Sequence, residues 1–153
     1  MSPPGLHDLL AAERQGVLAT LSARRAGWPF ASLAPYATTQ QGDPLLLLSE
    51  LAEHTRNLRA DARASLLIQD SRAGEDPQAG ARVTLLGSAE VLDGPTTQQA
   101  RQRYVQSHPQ ASQYFELGDF HLWILHVAEA RFVNGFGDMG WLEGDRLRTA
   151  LAE

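Results

Sequence analysis

"PLLLLSELAEHTRNLRADARASLLI", residues 44 to 68, decides the fold. The run from Leu45 to Leu48 reads as a buried strand, and "ASLLIQD" (64–70) reads as another. Between them "SELAEHTRNLRAD" (49–61) enters a short helix that carries His54, Thr55, Arg56, Asn57 and Arg59. Two readings of this strand-to-helix junction are open: an anion site, or an ordinary solvated first turn.

Upstream, "GVLATLSARRAGWPFASLAPYATTQQGDPLLLLS" (16–49) has short apolar runs broken by the turn compositions "RAGWP" and "QQGDP", which predict a three-strand meander. Leu6, Leu9, Leu10 and Glu13 have helical spacing, and Pro3 and Pro4 suit a helix start, so a short amphipathic helix is expected to end near Gly16. Downstream, the polar "SRAGEDPQAG" (71–80) reads as a mobile loop. "ARVTLLGSAEVL" (81–92) reads as a long strand with Gly87 at a bulge or close approach. "GPTTQQARQRYVQSHP" (94–109) predicts a helix with Pro95 in its first turn, Thr96 or Thr97 for capping, and Ala100, Tyr104 and Val105 on its buried face. "FHLWILHVAEARFVNGF" (120–136) is long enough to serve two sides of a barrel. The tail "GDMGWLEGDRLRTALAE" is ambiguous. Six strands joined mostly by hairpin-length turns must curl or leave raw edges, so the expectation is a mainly β (α+β) six-stranded barrel with flanking helices.

At 153 residues the chain fits one domain able to bury a core. A net charge of −5 argues against nucleic-acid binding. The absence of cysteine excludes disulfides, thiolate metal sites and thiol nucleophiles. No basic-then-apolar leader opens the sequence, and its longest apolar run, Leu45 to Leu48, is far too short for a bilayer, so a cytoplasmic protein without a membrane partner is expected.

A helix first turn offers unpaired N–H groups and a positive dipole end to a phosphate or carboxylate. Arg56 would add a charged fork, Ser49 and Thr55 hydroxyl donors, and His54 a proton. The plain alternative has Arg56 and Arg59 solvating an outer face with Ser49 as cap. His121 and His126 sit five apart on a strand, hence on opposite faces, and cannot clamp one ion together. Either could act alone or sit satisfied in a core. His7 and His108, at a helix start and end, read as surface. No G-x-S-x-G is present, and Ser88 lies within a strand pattern. Glu50 and His54 lack a third zinc ligand. Phe120, Trp123, Phe132 and Phe136 suit core or interface, with Trp123 the one candidate for ligand contact.

"GVLATLS", "GWPFASLAPYA", "PLLLLSELAEHTRNLRADARASLLI", "ARVTLLGSAEVL" and "FHLWILHVAEARFVNGFG" together resemble the flavin-binding split-barrel family that includes pyridoxamine 5′-phosphate oxidase. The "HTRNL" wording, the pair Asp119 and Phe120, and "FVNGFG" resemble its haem-utilisation branch. The resemblance implies a homodimer with two cofactor sites in the seam. In flavin-binding members a lysine-x-x-asparagine-leucine pattern holds the phosphate. Here His54, Asn57 and Leu58 occupy it, so histidine stands in place of lysine.

What the resemblance implies first is FMN and a flavin-dependent oxidoreductase of small molecules. Ser49, His54, Thr55, Arg56 and Asn57 would hold the phosphate, and Arg82 would reach it from the neighbouring wall. Ser32, Pro35 and Tyr36 would run along the ring edge, with Trp123 in contact. The alternative is a haem-binding or haem-degrading protein. That branch uses a histidine near the C-terminus as axial ligand, whereas no histidine follows His126 here, which leaves His54 as the candidate. A third possibility is a cofactor-free dimer that binds a small metabolite.

Overall fold

The computed structural model describes residues 5–152; Pro3 and Pro4, expected ahead of the first helix, lie outside them. In chain order the elements are α1 (Leu6–Ala12), β1 (Gln15–Leu21), β2 (Pro29–Pro35), β3 (Ala37–Thr38), β4 (Pro44–Ser49), α2 (Glu53–Ala60), β5 (Arg63–Gln69), β6 (Ala81–Val91), α3 (Thr96–Ser107), α4 (Ser112–Phe115), β7 (Phe120–Asn134), β8 (Asp138–Glu143) and α5 (Gly144–Ala152). All strands belong to one antiparallel sheet in the order β2-β1-β5-β6-β7-β4-β3, with β8 also paired to β7. The two ends of that order, β2 and β3, are separated in the chain by Tyr36 alone. The sheet must therefore curl until its ends meet, which makes it a barrel that stays unpaired at one seam. The six long strands follow the expected pattern. The structure adds the two-residue β3 and, in the ambiguous tail, β8 and α5.

The four leucines of β4 are all buried because the strand has a core on each face. Leu46 and Leu48 point into the barrel, while Leu45 and Leu47 face a second cluster with Ala100 and Tyr104 of α3. Each buried leucine contributes about 1.5–3 kcal/mol, and a continuous apolar run is what a strand covered on both sides requires. Leu6, Leu9 and Leu10 of α1 and Leu58 of α2 join the barrel cluster. α1 closes one mouth, where the Tyr36 hydroxyl donates to Leu10 O at 2.8 Å. α2 closes the other, against the end of β1.

β7 pairs with β6 along its length, but its other edge is shared: β4 takes Phe120 to Ile124 and β8 takes Glu129 to Asn134. In the gap the Val127 N–H donates to Asp43 Oδ1 at 3.0 Å, and the Val127 carbonyl accepts from Arg148 Nη1 of α5 at 3.1 Å. Arg148 also pairs with Asp43 at 3.1 Å. On the β6 side the ladder shifts at Leu86/Gly87, and a Cβ on Gly87 would stand 2.1 Å from His126 O, so Gly87 does mark a bulge of close approach.

α3 covers the free edge of the β2–β3 corner. His108 Nε2–H donates to Tyr36 O at 2.7 Å and Arg103 Nε donates to Thr38 O at 2.8 Å. His108 is thus not the surface residue its sequence position suggested: it is 6% exposed, stacked 4.7 Å from the Tyr104 ring. Its burial satisfies an edge carbonyl that would otherwise be an open pairing site.

Candidate functional site

The expected site residues converge only in part, and they do so at the mouth closed by α2. This helix starts after Ala52 without a side-chain cap, so its first-turn N–H groups are not consumed by a neighbouring oxygen. Ser49 does not cap it: its Oγ accepts from the Leu51 N–H at 3.2 Å in the connecting turn. Arg56 projects outward, 63% exposed, in a loose pair with Glu53 at 3.5 Å. His54 turns the other way, to the lip of β2, where Nδ1 lies 3.1 Å from Ser32 Oγ. Burial holds the His54 imidazole below the usual histidine pKa, so at neutral pH the ring is uncharged.

Thr55 and Asn57 lie in the same turn but are taken up inside the protomer. Thr55 Oγ1 donates to Ser49 O at 2.6 Å. Asn57, 1% exposed, donates to Thr20 Oγ1 at 3.0 Å and accepts from the Ala23 N–H at 2.9 Å. Asn57 fastens the helix to β1 and Thr55 fastens it to the end of β4, so both side chains turn into the protomer instead of outward as the phosphate holders they were expected to be. Tyr36 is likewise a core residue at the α1 mouth, and Pro35 precedes it at the end of β2. Trp123 is 3% exposed and packs in the barrel, where its indole N–H has no partner. Arg82 pairs in register with Gln69, at the α1 end of β5, and its guanidinium donates to Gln78 O and Gly80 O. Three strand spacings, about 14 Å, separate β6 from β2, so Arg82 does not reach His54 of its own protomer.

One cluster escaped sequence reasoning. Glu50 pairs with Arg59 through Nε at 3.1 Å and with His121 Nε2 at 3.4 Å, and the Arg59 guanidinium lies 5.3 Å from the Trp123 ring centroid. The Arg59 hydrogen bonds hold the Glu50 carboxyl below the usual range. Only the β4–β7 register, which sets Leu48 opposite His121, brings these groups together. His126 faces the other side, 3.3 Å from Glu90, as strand alternation requires. Among the described residues no group of three or more His, Asp or Glu side chains could hold a metal ion, and no helix is long and apolar enough to cross a membrane.

A curled antiparallel sheet with an open seam, plugged by one helix at each mouth, defines a split barrel. The CREG β-barrel family model matches residues 7–147, and the chain belongs to that family. It is 35% identical over 120 residues to the chloroplastic heme oxygenase HOZ of Arabidopsis thaliana, covering 78% of this chain and 36% of the plant protein. It is 31% identical over 139 residues to heme oxygenase HutZ of Vibrio cholerae, covering 85% and 74%. A heme binding protein from Mycobacterium smegmatis superposes with a TM-score of 0.87 at 36% identity, over 97% of this chain and 62% of that one. The chain thus spans about a third of the plant relative and less than two thirds of the mycobacterial one. These relatives support the haem-utilisation branch and overturn the expectation of FMN and of a flavin-dependent oxidoreductase. Residue 54 is histidine where the flavin pattern has lysine.

Proposed function

We propose that this protein binds haem in a seam between two identical subunits and takes part in haem breakdown, with His54 as the iron ligand. The observation that carries the reading is the His54–Ser32 pair. An imidazole held neutral by burial has a lone pair to give, and when Nδ1–H donates to Ser32 Oγ the tautomer leaves that lone pair on Nε2. No partner engages Nε2 among the described residues, so the donor set fits an iron porphyrin. Bound haem would supply the redox-active iron and is itself the molecule to be oxidised. The residues of this chain bind, orient and shield it. Ser32 fixes the ring of His54, Asn57 and Thr55 fix the helix that carries it, and exposed Arg56 with the uncapped first turn suits a propionate carboxylate.

The dimer is supported by the outer face of the sheet. Val83 and Leu85 point inward, so Arg82, Thr84 and Leu86 point out, in line with Leu67 of β5 and Leu33 of β2. Leu33 is 70% exposed and Trp141, on β8, 58%. Such an apolar sheet face asks for a cover, and a second copy would bring its own Arg82 towards the seam. Titrating the purified protein with hemin and following the visible spectrum tests the reading. The expected result is one haem per chain in a dimer, with His54→Ala weakening binding at least about tenfold. A titration curve unchanged by His54→Ala would remove His54 from the ligand role.

A further inference from the structure

Away from the His54 mouth, the outer side of the barrel holds a hollow of about 430 Å³ between the β3–β4 turn and α3. Two smaller hollows of about 130 Å³ and 190 Å³ adjoin it, and all three share one wall residue, Arg103. The main hollow falls at the lower end of the range of about 300–1,000 Å³ typical of small-molecule sites. Its floor is apolar, from Leu92 and Ile124, and its rim carries the amides of Gln40, Gln41 and Gln99. No carboxylate lines it. In a chain of net charge −5 this is a locally cationic recess.

Arg103 is held in one orientation. Its Nε donates to Thr38 O at 2.8 Å, which fixes the plane of the guanidinium. Among the described residues it forms no ion pair, and neither Nη is engaged in a hydrogen bond. A planar fork with both outer amines free matches a carboxylate in bidentate geometry. We infer that this recess is a second binding site, for a small organic monocarboxylate with a compact apolar body, its head on Arg103 and its body over Leu92 and Ile124. The glutamine amides give polar contacts to the rest of the ligand without adding charge. The site shares no residue with the haem reading and stands independently of it.

Benzoate is a suitable probe and benzamide its uncharged control. With the ¹⁵N-labelled full chain, benzoate is expected to cause saturable amide shifts confined to residues 38–41, 92–103 and 124, while benzamide causes none. Arg103→Gln should weaken benzoate at least about tenfold, the least expected for loss of a charge-assisted pair. Arg103→Lys, which keeps the charge and loses the fork, should fall between the two. Since Arg103 also closes the β3 edge, Gln99→Trp, a change at an exposed helix position on the rim, gives a second route: it should block benzoate with the fold intact by circular dichroism. The inference is overturned by shifts that never saturate or scatter over the surface, by equal binding of benzamide, or by undiminished binding in folded Arg103→Gln. Should Arg103→Gln not fold, Gln99→Trp decides alone, and unaltered benzoate binding there overturns the site.

Discussion

Replacing Asp43 by alanine tests how the barrel bridges the gap in the β7 edge. The Asp43 carboxylate is 5% exposed and does two things: it accepts the Val127 N–H at 3.0 Å and pairs with Arg148 at 3.1 Å. Removing it orphans a buried backbone N–H, which costs about 1–3 kcal/mol. It also strips the partner from Arg148. Breaking a buried pair costs about 3–5 kcal/mol when the surviving charge stays buried, but Arg148 is 27% exposed, retains Val127 O and Asp145, and can turn to water. The sum is therefore nearer the lower end, about 3 kcal/mol, or a fall in Tm of roughly 6–12 °C for a chain of this length. Asp43→Asn keeps an acceptor for Val127 and should lose only about half as much. Arg148→Met leaves the Asp43–Val127 bond in place but strands the buried Asp43 carboxylate without its cation, and should cost at least as much as Asp43→Ala. Urea unfolding followed by tryptophan fluorescence measures all three. A loss below about 1 kcal/mol for Asp43→Ala, or a loss for Asp43→Asn as large as that for Asp43→Ala, would refute the assignment of Asp43 as the bridge.

Four further outcomes are expected. Gly87→Ala sets a Cβ 2.1 Å from His126 O, a backbone atom that cannot step aside, and should destabilise by at least about 1–3 kcal/mol in the same assay. Asn57→Ala orphans the Ala23 N–H and the Thr20 hydroxyl and should cost about 2–3 kcal/mol, with weaker haem binding following from the loosened α2. The lowered pKa of His54 means the folded chain binds its proton less readily than the unfolded chain. His54 therefore adds full stability above about pH 6.5, and that contribution fades as pH drops through its folded pKa. Hemin affinity should accordingly stay level from pH 8 to about 6.5 and fall only below it; a decline beginning above pH 7 would contradict a neutral, desolvated His54. Leu33→Glu combined with Trp141→Glu places charges on the exposed sheet face and should yield a folded monomer by light scattering, whereas an unchanged mass would place any dimer contact elsewhere.

What could be read from the chain alone were features with local causes. The leucine run announced a buried strand, Gly87 announced a bulge or close approach, and Ala100 and Tyr104 marked the buried face of α3. What could not be read were partnerships made by register or by packing between distant segments. His108 ends a helix and reads as solvated, yet it reaches a carbonyl 72 residues away in sequence. The Glu50–His121 pair exists because Leu48 happens to face His121 across β4 and β7. Asn57 matched a motif position, but the motif could not tell a ligand-facing amide from one facing Thr20.

That last ambiguity has a physical consequence for the site. A helix of eight residues is too short to hold itself in water, so α2 needs anchors, and the polar groups nearest the barrel are the ones that serve. Thr55 and Asn57 point back to the protein because the helix would otherwise fray. His54 and Arg56 are then left as the side chains of this turn available to a ligand, one neutral and held by Ser32, the other charged and exposed. A single turn thus separates into residues that fix its position and residues that can bind. The substitution of histidine for lysine at the pattern's first position changes what such a turn can offer, from an ammonium suited to phosphate to a lone pair suited to iron.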